Sequence, residues 1–195
     1  MDLIQALAAE LGKDPRHVEN VVHLLDEGNT IPFIARYRKE LHGAMDDTSL
    51  RTLEERLQYL RGLEERREAV KKSIDEQGKL TDELAAAIDS AKTLAEVEDL
   101  YRPYKQKRRT RATMAKEKGL EPLAALLFAQ ERDCPRPEEA ARAFVDPEKG
   151  VETVEDALQG ASDIIAEQIS DDASIRKSLR ALIFRQGQLV SRAAT

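Results

Sequence analysis

Apolar residues recur at helical spacing almost from end to end of this chain. Leu3, Leu7 and Leu11 stand at i, i+4 and i+8 with Ile4 and Ala8 beside them, which predicts a first helix closed by Gly12. Asp14-Pro15 reads as the N-cap and first helical residue of a second helix, striped by Val18, Val21, Val22 and Leu25 and stopped by Gly28. Thr30-Ile31-Pro32 opens a third, with Phe33, Ile34, Tyr37 and Leu41 expected on its buried side. Residues 1–45 thus form a helix-turn-helix-like unit. Arg36, Arg38 and Lys39 of its third helix point outward in this reading, as a groove-facing helix requires; bridging to neighbouring helices is the alternative.

The next stretch, residues 46–78, predicts one long central helix. Asp46-Asp47-Thr48-Ser49 supplies a cap and acids that suit the helix dipole. Leu50, Leu53, Leu57 and Leu60 follow at alternating spacings of three and four, and Leu63, Val70 and Ile74 continue with a shift in phase. A dense Glu/Arg face lies between them and suits surface ion pairs. About 30 helical residues span on the order of 45 Å, so this element reads as a strut.

Residues 79–195 read as a helical subdomain. Thr81 caps a short helix with Leu84 and Ile88 inward, and Thr93 with Glu96 makes a capping box for a helix whose Leu94, Val97, Leu100 and Tyr101 face the core. Helices are expected over 112–118, 122–130, 138–144 and 153–169, the last with Gly160 at a close helix crossing. Asp172 caps a final helix carrying Ile175, Leu179, Leu182 and Ile183. The closing residues have the look of a strand that begins without a partner, so the chain is expected to be a fragment of something longer.

Composition agrees with the pattern. Charged residues make up 35% and aromatics 4%, with 9 Gly, 7 Pro and no Trp, which points to an all-α, multi-helix array. A net charge of −6 excludes general coating of nucleic acid, so any such binding has to be local. The charge is segregated: a basic middle precedes an acidic stretch after Glu131, and the two can attract each other within the chain or across an interface. Cys134 stands alone, which fits a reducing compartment. The N-terminus lacks the pattern of a signal peptide, and no apolar run approaches membrane-spanning length. A cytoplasmic protein without a membrane partner is expected.

The candidate chemistry lies between Glu98 and Lys118. Arg102, Lys105, Lys107, Arg108, Arg109, Arg111, Lys116 and Lys118 crowd together, Glu117 is the lone acid among them, and Tyr101 and Tyr104 are interleaved. Cations for phosphates beside rings for base faces are what single-stranded nucleic-acid sites use. The site expected from this pattern has Arg102, Lys105, Lys107, Arg108, Arg109 and Arg111 on phosphates and Tyr104 available for stacking. Arg36, Arg38 and Lys39 would form a second patch. The competing reading is a solvated basic loop whose tyrosines fill the core. No catalytic residues, metal or cofactor are expected. His17, His23 and His42 have no metal-ligand spacing, a P-loop is absent, and the paired acids occupy adjacent helix positions that point apart.

Four long motifs then carry a family resemblance: TIPFIARYRKELHGAMDD (Thr30–Asp47), EQGKLTDEL (Glu76–Leu84), EDLYRPYKQKRRTRATMAKEKGLEPLA (Glu98–Ala124) and ALQGASDIIAEQISDDASIRKSLR (Ala157–Arg180). In order and over nearly the whole chain, they resemble the N-terminal region of the bacterial transcription accessory protein Tex family. His42, where the family often has Thr, and Gln106, where it often has Pro, depart without disturbing a charged position. The resemblance implies a helical region with a helix-turn-helix-like part and a long central helix. It also implies a following ribonuclease-H-like domain without known activity, helix-hairpin-helix elements and an OB-fold RNA-binding domain. By the same resemblance the whole protein binds nucleic acid and acts in transcription, as a related eukaryotic elongation factor does. That binding is attributed chiefly to the OB-fold domain, which lies outside these 195 residues. Two functions therefore stand side by side. One is direct nucleic-acid contact through the two basic patches. The other is a scaffold that docks downstream domains or the transcription machinery.

Overall fold

The computed structural model describes residues 3–105, 109–132 and 134–192. Among them are eleven α-helices and no strand, so the fold is all-α. The chain divides into two compact units, Met1–Gln77 and Gly78–Thr195.

The first unit contains α1 (Leu3–Leu11), α2 (Pro15–Asp26), α3 (Ile31–Tyr37) and the long α4 (Asp47–Asp75). Local chemistry sets the boundaries. Gly12 follows α1 at φ +61°, a conformation glycine adopts without Cβ strain. Asp14 caps α2 by accepting from the Arg16 N–H at 2.8 Å, with Pro15 at the first helical position. Asp46 caps α4 by accepting from the Ser49 N–H at 2.7 Å. Leu50, Leu53, Leu57, Leu60 and Leu63 are all buried along α4, with Leu7, Val18, Val21 and Ile34 buried on the shorter helices. Two forked ion pairs tie the short helices to the long one. Arg56 holds Glu10 at 2.7 and 2.9 Å, and Arg61 holds Asp26 at 2.8 Å on both oxygens. At 29 residues, α4 is about 44 Å long.

The third helix departs from expectation. It ends at Tyr37 instead of running to Leu41, and Tyr37 is 57% exposed instead of buried. The chain then turns through Gly43 and Ala44, both with positive φ, so Leu41 belongs to a tight turn. That turn packs closely: a Cβ on Gly43 would lie 2.2 Å from Nδ1 of His17.

The second unit holds α5 (Asp82–Ser90), α6 (Leu94–Tyr101), α7 (Arg111–Glu117), α8 (Glu121–Ala129), α9 (Pro137–Ala141), α10 (Val154–Asp171) and α11 (Ala173–Gln186). Threonine and aspartate caps open five of them. Thr81, Thr93, Thr110, Thr153 and Asp172 each accept from the N–H three residues on. The expected Thr93–Glu96 box is modified, since Glu96 reaches the Lys92 N–H at 2.7 Å. At Pro103 the backbone tightens into a short 3-10 turn over Arg102–Tyr104.

Around α10, a core of small residues brings helices close: Ala112 and Ala115 of α7, Ala124 of α8, Ala140 and Ala141 of α9, Ala157 and Ala161 of α10, filled by Leu120, Leu123, Val151 and Ile164. The expected close crossing at Gly160 is present, because a Cβ there would meet Leu120 Cδ1 at 2.3 Å and Ala115 Cβ at 3.3 Å. Two expectations fail here. Leu94 is 38% exposed, and Asp99 of the same helix is buried in its stead. Residues 187–192 form no strand, since an extended segment without a neighbour has nowhere to place its backbone hydrogen bonds.

Candidate nucleic-acid interface

The basic segment begins on the 3-10 turn after α6 and continues into α7. Each cation that opens it meets a carboxylate of the same unit. Arg102 Nε donates to Asp171 Oδ1 at 2.9 Å, from the end of α10. Lys105 pairs with Glu98, one helical face earlier, and its ammonium lies 5.5 Å from the centre of the Tyr101 ring. Arg109 reaches Glu117 Oε2 at 2.9 Å across α7, although the two side chains are 70% and 60% exposed. Arg111, the first residue of α7, is exposed with no ion pair among the described residues. Tyr104 is half-buried. Lys107 and Arg108, expected on phosphates, lie outside the described residues.

Further along, Lys116 pairs with Glu121 at 3.5 Å and Lys118 Nζ donates to the Gly150 carbonyl at 2.7 Å. Thr110, the α7 cap, also gives its hydroxyl to Glu167 at 3.1 Å. The acidic stretch of the second unit therefore meets its basic middle within the unit, through Asp171 and Glu167. Pattern reading found the cations and expected the acidic stretch to attract them, but gave none of the individual pairs. Glu98, Glu117 and Asp171 carry no signal beyond opposite sign, and Asp171 is 69 positions from Arg102.

The second patch sits at the end of α3 in the first unit. Arg36 and Lys39 are exposed. Arg38 is half-buried, its guanidinium carbon 5.3 Å from the Phe33 ring centre and Nη1 donating to the Tyr37 carbonyl at 3.1 Å. The Phe33 and Tyr37 ring centres lie 5.3 Å apart with the planes tilted by 47°. The α3 helix is 7 residues long and starts on Ile31, Pro32 and Phe33, so its cations occupy the C-terminal end. A recognition helix reads bases with its N-terminal residues. The cations of α3 stand at the other end.

Exposed pairs of this kind contribute about 0.2–1 kcal/mol each, because water and salt screen them. No group of three or more His, Cys, Asp or Glu among the described residues is placed to hold a metal ion. No described helix is long and apolar enough to cross a membrane.

The described residues thus form an all-helical array in which Arg102, Lys105 and Arg109 meet carboxylates of their own unit while Arg111 does not. Two family models match it in order: the Tex-like protein N-terminal domain over residues 1–75 and the Tex central region-like family over residues 133–195. The chain belongs to the Tex family. It is similar to the uncharacterized protein YdcI of Bacillus subtilis, 50% identical over 191 residues, covering 98% of this chain and 26% of that protein. Against the transcriptional accessory protein Tex of Neisseria gonorrhoeae it is 45% identical over 190 residues, 97% of this chain and 24% of that protein. The human S1 RNA-binding domain-containing protein 1 is 32% identical over 183 residues, 93% of this chain and 18% of that protein. The chain thus spans about a quarter of the length of its bacterial relatives.

Proposed function

We propose that this chain is the N-terminal helical region of a cytoplasmic transcription accessory protein, and that its basic segment makes weak, salt-sensitive contacts to the phosphates of RNA or DNA. The observation that carries this reading is the exposure of Arg109 and Arg111 at the start of α7, with Lys107 and Arg108 immediately before them in sequence. The names of the gonococcal and human relatives support a role in transcription and an association with RNA for the longer proteins. Arg36 and Lys39 supply a second phosphate contact. In this reading the chain has no catalytic role.

A second reading is favoured by a different observation. Arg102, Lys105 and Arg109 are already paired with carboxylates of their own unit, which suits a scaffold that docks downstream domains or the transcription machinery. Fluorescence-anisotropy titration of the chain with labelled single-stranded RNA and with duplex DNA, over a salt series, separates the two. Phosphate contact gives a log K against log salt slope of about −0.7 to −0.9 per contact, and binding collapses in the Arg108→Glu, Arg109→Glu, Arg111→Glu variant. Absence of binding even at low salt leaves the docking role.

A further inference from the structure

Tyr37 differs from the other tyrosines in its setting. Among the described residues Tyr59, Tyr101 and Tyr104 are half-buried, while Tyr37, the last residue of α3, is 57% exposed. Its ring is nevertheless held. Phe33, one turn earlier and half-buried, lies 5.3 Å away between ring centres, and the Arg38 guanidinium covers Phe33 in turn at 5.3 Å. Arg38 also donates to the Tyr37 carbonyl at 3.1 Å. The ring therefore rests on a packed support and keeps surface for a second flat partner.

The charges beside it differ from those of the basic segment. Arg102, Lys105 and Arg109 meet carboxylates, whereas Arg36 and Lys39 are exposed and have no ion pair among the described residues. Glu40 is the one acid in residues 31–40, and it too stands outside any ion pair among the described residues. Three cations against one acid leave this end of α3 positive. The carbonyl end of a helix disfavours anions, so a phosphate has to be met at the tips of Arg36 and Lys39 and not by the backbone. Tyr37, between them in sequence, offers a face to a base. Only an unpaired base has a free face to offer in return, since the bases of a duplex are stacked on one another.

We infer that Tyr37 is a stacking platform for one unpaired base of single-stranded nucleic acid, with Arg36 and Lys39 on the adjoining phosphates and Phe33 supporting the ring. This rests on the nucleic-acid reading and narrows it from any nucleic acid to unpaired strands, at a tyrosine other than Tyr104.

The test separates bases from phosphates. The 195-residue chain is titrated at low salt, by fluorescence anisotropy, with a short labelled single strand and with a matched strand of abasic sites. One stacked base predicts that wild type prefers the base-bearing strand at least ~fivefold. Tyr37→Ala should erase that preference and leave affinity for the abasic strand unchanged, while Tyr37→Phe, which keeps the ring, should retain it. Arg36→Gln with Lys39→Gln should weaken both strands alike. The pair is run as DNA and as RNA, and loss of the preference in Tyr37→Ala with either sugar supports the platform and names the strand it takes. Equal binding of both strands by wild type overturns the platform and leaves phosphate contact standing. A preference that survives Tyr37→Ala and disappears in Tyr104→Ala also overturns it. Absence of binding to either strand removes the nucleic-acid reading and the platform together. A Tyr37-dependent preference that persists in the Arg108→Glu, Arg109→Glu, Arg111→Glu variant upholds the platform without the basic segment.

Discussion

Asp99 Oδ1 accepts a hydrogen bond from Arg176 Nε at 2.6 Å, across 77 positions of chain. Its second oxygen takes Arg180, so one buried carboxylate joins α6 to two successive turns of α11. Burial alone would raise the pKa of Asp99, but the hydrogen bonds from Arg180 and Arg176 outweigh it and hold the carboxyl below the ordinary aspartate value. A depressed carboxylate pKa stabilises the fold above the unfolded value of about 3.9, and that contribution disappears as pH falls through the folded value.

Asp99→Asn should therefore destabilise the second unit at neutral pH. The two guanidiniums reach water, which holds the expected loss to about 1–2 kcal/mol. Urea unfolding across pH checks both magnitude and sign. The gap between wild type and variant should be full at pH 7 and close below about pH 4. A gap independent of pH would mean that the loss comes from packing and not from charge.

The carboxylates of the basic segment should act as competitors for phosphate. Glu98→Gln with Glu117→Gln frees Lys105 and Arg109. At about 0.2–1 kcal/mol for each of the two exposed pairs, low-salt affinity for single-stranded RNA should rise roughly two- to thirtyfold. Anisotropy reads this directly, and unchanged affinity would remove Lys105 and Arg109 from the interface.

Gly43→Ala should be costly for two separable reasons. A side chain at φ +60° is strained, and the new methyl would run into the His17 ring. Together they should remove about 2–4 kcal/mol from the first unit. Adding His17→Ala relieves the collision alone, so thermal unfolding of the double variant should recover part of the loss but not all of it.

Gly160→Ala sets helix propensity against packing. Alanine gains up to about 1 kcal/mol over glycine in a helix interior. The buried Leu120 has little room to retreat, and overpacking of this kind costs about 1–3 kcal/mol. Net destabilisation of about 1 kcal/mol is expected by chemical denaturation, and a stabilised variant would show that Leu120 moves freely.

Helix starts were the most legible part of the fold, because a cap is made by residues two or three apart in sequence. Asp14, Asp46, Thr81, Thr93 and Asp172 cap where the pattern places them. Positions decided by distant partners were not legible. Periodicity puts Leu94 in the core, yet Asp99 takes the buried place because Arg176 and Arg180 neutralise it from far along the chain. Tyr37 fits the stripe of a longer helix, but α3 stops there and leaves its ring in solvent. At the candidate site the cations are plain in the sequence. Asp171, which holds Arg102, is just one acid in an acidic stretch until folding brings it near.

The capped helix starts bear on how such a chain is made. Each cap closes a loop of a few residues, for which the entropy of closure is small and the closing time is far below a second. Ribosomes add residues at about 5–20 per second, so every helix boundary can be set within moments of its own residues leaving the exit tunnel. The order of synthesis then matters more than the length still to come. The first unit can complete its leucine-lined assembly while the second is being translated, and unfinished polypeptide spends little time with its apolar faces open to aggregation.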